Sequence, residues 1–184
     1  MTTPQSALAC AARGWLVVPL HNPKQGVCSC RKKDCGSPGK HPRTEHGLKD
    51  GSKDAKQIEI WWAKWPDANL GILTGQESGL LVLDVDGEDG KASLQDLTMT
   101  HGNLPKTLCA KTGRTGNDGK RKGCHYYFRA PVGATIRNSA GALGKGLDIR
   151  ANGGYVVAPP SLQPRRQGRR TRERSMTTCP KPTW

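Results

Sequence analysis

Gly79-Leu80-Leu81-Val82-Leu83-Asp84-Val85-Asp86-Gly87 is the stretch on which the fold of this chain turns. Five apolar residues punctuated by two glycines predict a short buried strand. Residues two apart on a strand face the same way, so Asp84 and Asp86 project side by side. Two carboxylates so placed repel each other unless a cation lies between them. A hard divalent ion such as Mg2+ or Mn2+ suits oxygen donors of this kind. The alternative is that the strand merely ends, with both carboxylates turned to water at a turn. The pair alone does not choose between these readings.

The 184 residues suffice for one domain of ordinary size with a real core. The net charge is +14, and its distribution matters. Pro164 to Trp184 carries seven Lys/Arg against one acid, while the preceding residues carry 22 basic and 14 acidic side chains. A body that is basic without its tail favours a polyanionic partner, nucleic acid or nucleotides. No stretch approaches the ~20 apolar residues of a membrane span. The opening Met1-Thr2-Thr3-Pro4-Gln5-Ser6 lacks the basic and apolar regions of a signal peptide, so a cytoplasmic protein is expected.

Residues 21–43, HNPKQGVCSCRKKDCGSPGKHPR, are too poor in apolar side chains to fold on a core of their own. A metal would supply what the core cannot. Cys28, Cys30, Cys35 and His41 give Cys-X-Cys-X4-Cys-X5-His, a donor set suited to tetrahedral Zn2+ in a closed structural site. The spacing is not that of a standard finger. Free thiols in a flexible loop are the alternative, and His21 or His46 could stand in for His41.

Around these landmarks the chain alternates helices and strands. Residues 4–13 predict a helix with Leu8, Ala11 and Ala12 inward, and Trp15 to Leu20 a strand. Residues 54–65 predict a helix capped by Asp54, with Ile58, Trp61, Trp62 and Trp65 as a core-facing stripe rather than a base-stacking platform. Asn69 to Thr74 reads as a strand. Residues 91–101 form a third helix, with Leu94 and Leu97 inward, and Thr107 to Lys111 a strand. Thr112 to Gly123 is a glycine-rich loop with four Lys/Arg, either a phosphate cradle or a hairpin tip. Cys124 to Arg129 is a strand with His125 and Tyr127 on one face and Tyr126 and Phe128 on the other. Gly146 to Arg150 repeats the opening pattern, with Asp148 and Arg150 together opposite Leu147 and Ile149. A last strand follows in Gly153 to Pro160.

In this order the motifs resemble the primase–polymerase branch of the archaeo-eukaryotic primase superfamily, known in phages, plasmids and integrated elements. The carriers are Asp84-Val85-Asp86, Gly123-Cys124-His125-Tyr126-Tyr127-Phe128, and Gly146-Leu147-Asp148-Ile149-Arg150 running into Gly153 to Ser161. Asn69 to Gly75 and the loop ending Gly39-Lys40-His41-Pro42 are similar to that family as well. The resemblance spans about Ala7 to Ser161. It implies an α+β fold, a central mixed or antiparallel sheet with flanking helices and an RRM-like catalytic core. It further implies that Asp84, Asp86 and Asp148 are catalytic metal-binding carboxylates holding two Mg2+ or Mn2+ ions. His125 would contact the phosphates of the incoming nucleotide. Arg150, Lys111 and Arg114 are looser candidates for nucleotide or template contacts. The cysteine loop resembles a zinc-binding insertion of some members. Gly123 and Cys124 are a mild departure from the second motif.

The expected function is template-dependent nucleotidyl transfer, as a DNA primase or polymerase, in replication of a phage or mobile element. Single-stranded DNA and nucleoside triphosphates would be its substrates, with a helicase supplied by another chain as a possible partner. The alternatives are a non-catalytic DNA-binding remnant and a metal-dependent nuclease. The catalytic domain is expected over residues 1–162. Residues 163–184, with six Arg between Arg165 and Arg174, read as a disordered basic tail unable to supply a strand. That tail is either a nucleic-acid arm or the product of a truncated or frame-shifted gene.

Overall fold

The computed structural model describes residues 2–24, 27–112 and 123–162, together with the backbone of Thr177 and Thr178. In chain order the first elements are α1 (Thr3–Ala11), β1 (Val17–Leu20), β2 (Pro23–Lys24), β3 (Val27–Cys28), α2 (Ala55–Lys64), β4 (Asn69–Leu73) and β5 (Leu80–Val85). There follow α3 (Gly87–His101), β6 (Leu108–Lys111), β7 (Cys124–Arg129), β8 (Ser139–Ala140), β9 (Leu147–Arg150), β10 (Tyr155–Ala158) and β11 (Thr177–Thr178). The fold is α+β, and every strand pair among the described residues is antiparallel.

Two compact units make up the chain, one of Met1–Leu73 with Tyr155–Met176, the other of Thr74–Gly154 with Thr177–Trp184. The first unit is built on a three-stranded sheet in the order β1-β4-β10. Gly71 lies at its centre because a Cβ there would come within 2.9 Å of Val18 Cγ1 and 3.0 Å of Leu20 Cδ2. Val18, Leu20, Leu73 and Val157 form the core on this sheet. Helices α1 and α2 pack on each other and on β1 and β4. Asp54 caps α2 as expected, its Oδ1 accepting from Lys56 N at 3.1 Å. Ile58, Trp61 and Trp62 are buried, while Trp65 at the helix end is half-buried with Arg43 and Lys64 against its ring. On α1 the buried residues are Ala7 and Cys10, not Leu8, Ala11 and Ala12. Small side chains let the helix approach α2 closely, which a leucine on that face would prevent.

The second unit carries a six-stranded sheet in the order β11-β6-β7-β5-β9-β8. The antiparallel sheet expected to carry the aspartates is this one, with Asp84 on β5, Asp148 on β9 and α3 packed against both strands. On the α3 side, Leu83, Val85 and Leu147 form a buried core with Leu94, Leu97, Leu104, Tyr126, Phe128 and Ile149 against them. Alternation along β5, β7 and β9 sends Asp84, His125, Tyr127, Asp148 and Arg150 to the opposite face, as expected. The tail was expected to supply no strand, yet Thr177 and Thr178 pair with Lys111 and Ala110. Such pairing uses main-chain groups only and needs no apolar side chain. The remainder of the tail lies outside the described residues.

Candidate functional site

Register brings the functional side chains together. On β5, Asp84 lies opposite His125 of β7 on one side and opposite Asp148 of β9 on the other. Directly opposed residues on antiparallel strands share a face with their Cβ atoms about 5 Å apart. Two carboxylates and an imidazole therefore form one row across three adjacent strands. His125 Nε2 is 3.4 Å from Asp84 Oδ1, with the imidazole buried and the carboxylate 22% exposed. Asp148 accepts from Arg150 Nη2 at 2.7 Å through Oδ2 and from Gly141 N at 3.1 Å through Oδ1.

Asp86 sits one residue past the end of β5, as the N-cap of α3, where its carboxylate does not accept from the helix. Its main chain is clamped instead. Asp86 N donates to Gly146 O at 2.8 Å, which ties it to the start of β9 two residues before Asp148. Gly146 has φ +75, and a Cβ on it would stand 2.6 Å from Gly90 N and 2.7 Å from Asp86 O. Ser93 Oγ donates to Lys145 O at 2.9 Å and fastens the same turn to α3. The close approach joins Gly90, in the first turn of α3, to Gly146, directly before β9, a contact that no local pattern in the sequence marks.

Asp84 and Asp148 on one face, with Asp86 just past the end of β5, offer the hard oxygen donors that Mg2+ or Mn2+ requires, and the residues fit such ions in chemistry. Asp84 lies against His125 and Asp148 against Arg150, and the three carboxylates are not drawn together on one point. Among the described residues only one group of three or more Cys, His, Asp or Glu side chains is drawn together tightly enough to hold a metal. That group is Cys28, Cys30, Cys35 and His41, whose ligand atoms all lie within 4.8 Å of one another.

The four come from β3, the turns after it and the segment returning to β1, where His21 N donates to His41 O at 2.8 Å. Tetrahedral zinc with Zn–S near 2.3 Å holds its sulfurs about 3.8 Å apart, and Cys35 Sγ lies 3.9 Å from His41 Nδ1. The residues fit the ion. His41, rather than His21 or His46, completes the set. His21 stacks on the His41 ring at 4.4 Å and bonds Ser29 Oγ through Nδ1 at 2.9 Å, and His46 pairs with Asp50. Burial, then the nearby His41, push the His21 imidazole down to about 4. The main-chain N–H of Lys32 is the largest influence on the Cys30 thiol, lowering it to about 7 with help from the neighbouring thiols and His41. A thiol near that value yields its proton to a metal readily.

A family model described as bifunctional DNA primase/polymerase, N-terminal, matches residues 7–184. The chain belongs to that family. No curated protein matches it. The activity of the primase/polymerase family is nucleotidyl transfer on DNA, with nucleotides as substrates. The match runs past Ser161, where the motif-level resemblance stopped, to the last residue of the chain.

Within this primase/polymerase domain the expected site residues separate into groups. Asp84, His125, Asp148 and Arg150 share one face, with Asp86 at its rim. Lys111 is opposite Cys124, and Cys124 is opposite Val85, so strand alternation sends it to the α3 side of the sheet. Lys111, a loose candidate for nucleotide or template contact, thus stands on the opposite face of the sheet from His125. Arg114 lies outside the described residues.

Proposed function

We propose that the face bearing Asp84, Asp86, Asp148 and His125 carries out template-dependent nucleotidyl transfer, extending and in some circumstances initiating DNA strands. One observation carries the reading: Asp84 stands in direct register between His125 and Asp148. Asp84, Asp86 and Asp148 would hold two divalent ions, which when bound lower the barrier by stabilising charge on the attacking and leaving oxygens. His125, packed beside Asp84, is oriented to donate to a phosphate oxygen of the nucleotide. Arg150 holds Asp148 in place and adds positive charge beside the polyphosphate. The DNA backbone is gripped through general positive charge, so binding falls steeply with salt and reads little sequence.

Cys28, Cys30, Cys35 and His41 would hold a structural zinc. Four protein donors fill a tetrahedron and leave no position for substrate. The ion would replace the apolar core that residues 21–43 lack.

Incubation with Mn2+, labelled deoxynucleotides and a primed template tests the reading. Extension by the native chain, abolished in Asp84→Ala and Asp148→Ala while DNA binding persists, is the expected result. Shortening of the primer marks a nuclease, and a mobility shift without extension marks a DNA-binding remnant. Extension retained by either variant overturns the assignment.

A further inference from the structure

Thr112 is a polar group on the site face that the arrangement above does not use. It follows β6, and alternation from Ala110, the register partner of His125, brings its side chain to the face of Asp84, His125 and Asp148. Its main-chain N–H donates to Gly123 O at 3.0 Å, which puts it opposite Gly123, two residues before His125. The hydroxyl reaches across that glycine. A Cβ at position 123 would lie 2.4 Å from Thr112 Oγ1 and 3.0 Å from Val85 O. Thr112 is 8% exposed, and its Oγ1 has no hydrogen-bond partner among the described residues.

A buried hydroxyl without a partner destabilises a fold, and a valine of the same shape would avoid the penalty. Packing therefore gives no reason for a hydroxyl here. It shares that face with an imidazole and carboxylates suited to a nucleotide's polyphosphate and its cations. Among the described residues no acceptor meets the hydroxyl, and the polar face it shares with His125 suits an acceptor that arrives with a ligand.

We propose that Thr112 Oγ1 donates a hydrogen bond to the polyphosphate of the bound nucleotide, beside His125. The inference rests on the nucleotidyl-transfer reading and names one more substrate-binding group of the same site. Gly123 has a part in it, since any side chain there would occupy the space of the hydroxyl.

The test compares Thr112→Val and Thr112→Ser with the native full-length chain. Three quantities are read: Kd for a fluorescent deoxynucleoside triphosphate with Mn2+, KM and kcat for primer extension, and Tm. Thr112→Val is expected to raise Kd and KM about tenfold, the worth of one hydrogen bond to a charged group, with kcat little changed. Its Tm should be unchanged or higher, and Thr112→Ser should bind as the native chain does. Unchanged Kd in Thr112→Val overturns the proposal. So does a lowered Tm, which would mean a structural partner, or equal weakening in Thr112→Ser, which would mean shape rather than the hydroxyl. A native chain that binds nucleotide without extending primer overturns nucleotidyl transfer alone, and the Kd comparison still decides Thr112. A native chain that binds no nucleotide overturns both.

Discussion

Replacing Gly146 by Ala should be among the most damaging single-methyl changes in the aspartate-bearing unit. Two separate penalties meet there. At φ +75 an alanine Cβ crowds its own carbonyl, which costs roughly 1–2 kcal/mol. The added carbon also lands 2.6 Å from Gly90 N, 2.7 Å from Asp86 O and 2.9 Å from Gly90 Cα. All three are backbone atoms, so no rotamer change relieves the clash and α3 must move, at about 1–3 kcal/mol. The total is about 2–5 kcal/mol. Two companions separate the penalties. Gly133→Ala has φ +78 with nothing within 4 Å, so only the conformational part applies, roughly 1–2 kcal/mol. Gly90→Ala meets Gly146 O at 2.4 Å in a helical backbone, so it carries the steric part, about 1–3 kcal/mol, less what alanine returns in helix propensity. Because both changes strain one contact, the Gly90→Ala/Gly146→Ala pair should cost less than the sum. Native-state hydrogen exchange at the amides of β5 and β9 reads the opening free energy where the strain acts. Equal costs for Gly146→Ala and Gly133→Ala would refute the close approach. Since Asp86 N is bonded to Gly146 O, Gly146→Ala should also weaken Mn2+ binding at the carboxylates.

The metal and face assignments give further expectations. Purified protein should contain one zinc per chain by elemental analysis, and Cys35→Ala should lose it together with several degrees of Tm, as removal with a chelator should in the native chain. His21→Ala should keep the zinc, because its ring stacks on His41 without joining the donor set. Lys111→Ala should leave KM for nucleotide within about twofold of native, since its register lies on the α3 side of the sheet, whereas Arg150→Ala should raise KM by about tenfold through loss of its bond to Asp148. Steady-state extension kinetics check both.

Local pattern carried much of this molecule. The alternation in Cys124 to Arg129 and in Gly146 to Arg150 told which side chains share a face, because a strand's period of two is a property of the chain itself. The cysteine spacing likewise told which loop gathers donors, though only the folded loop separates His41 from His21. What stayed hidden depends on contacts distant in sequence. That β4 pairs with β10 while β5 pairs with β7 and β9 is such a case, and no local signal near Thr74 marks the change of sheet. The face of Lys111 depends likewise on β6 pairing with β7, which sets it opposite Cys124 rather than His125. Thr112 begins a glycine-rich loop in the sequence, and only its pairing with Gly123 sets its hydroxyl on the face of His125.

The second unit's main stretch, Thr74 to Gly154, is a single excursion from the first, leaving after Leu73 and returning at Tyr155. Its two ends are stapled together, Thr74 N donating to Gly154 O at 3.0 Å and Thr74 Oγ1 to Ala151 O at 2.7 Å. Asp84, Asp86, His125, Asp148 and Arg150 all fall inside that excursion, while Cys28, Cys30, Cys35 and His41 fall outside it. Insertions and deletions in the zinc loop therefore leave every spacing among the catalytic candidates untouched. The chain is spliced like a cassette, with the aspartate-bearing stretch and the cysteine loop free to drift in length independently.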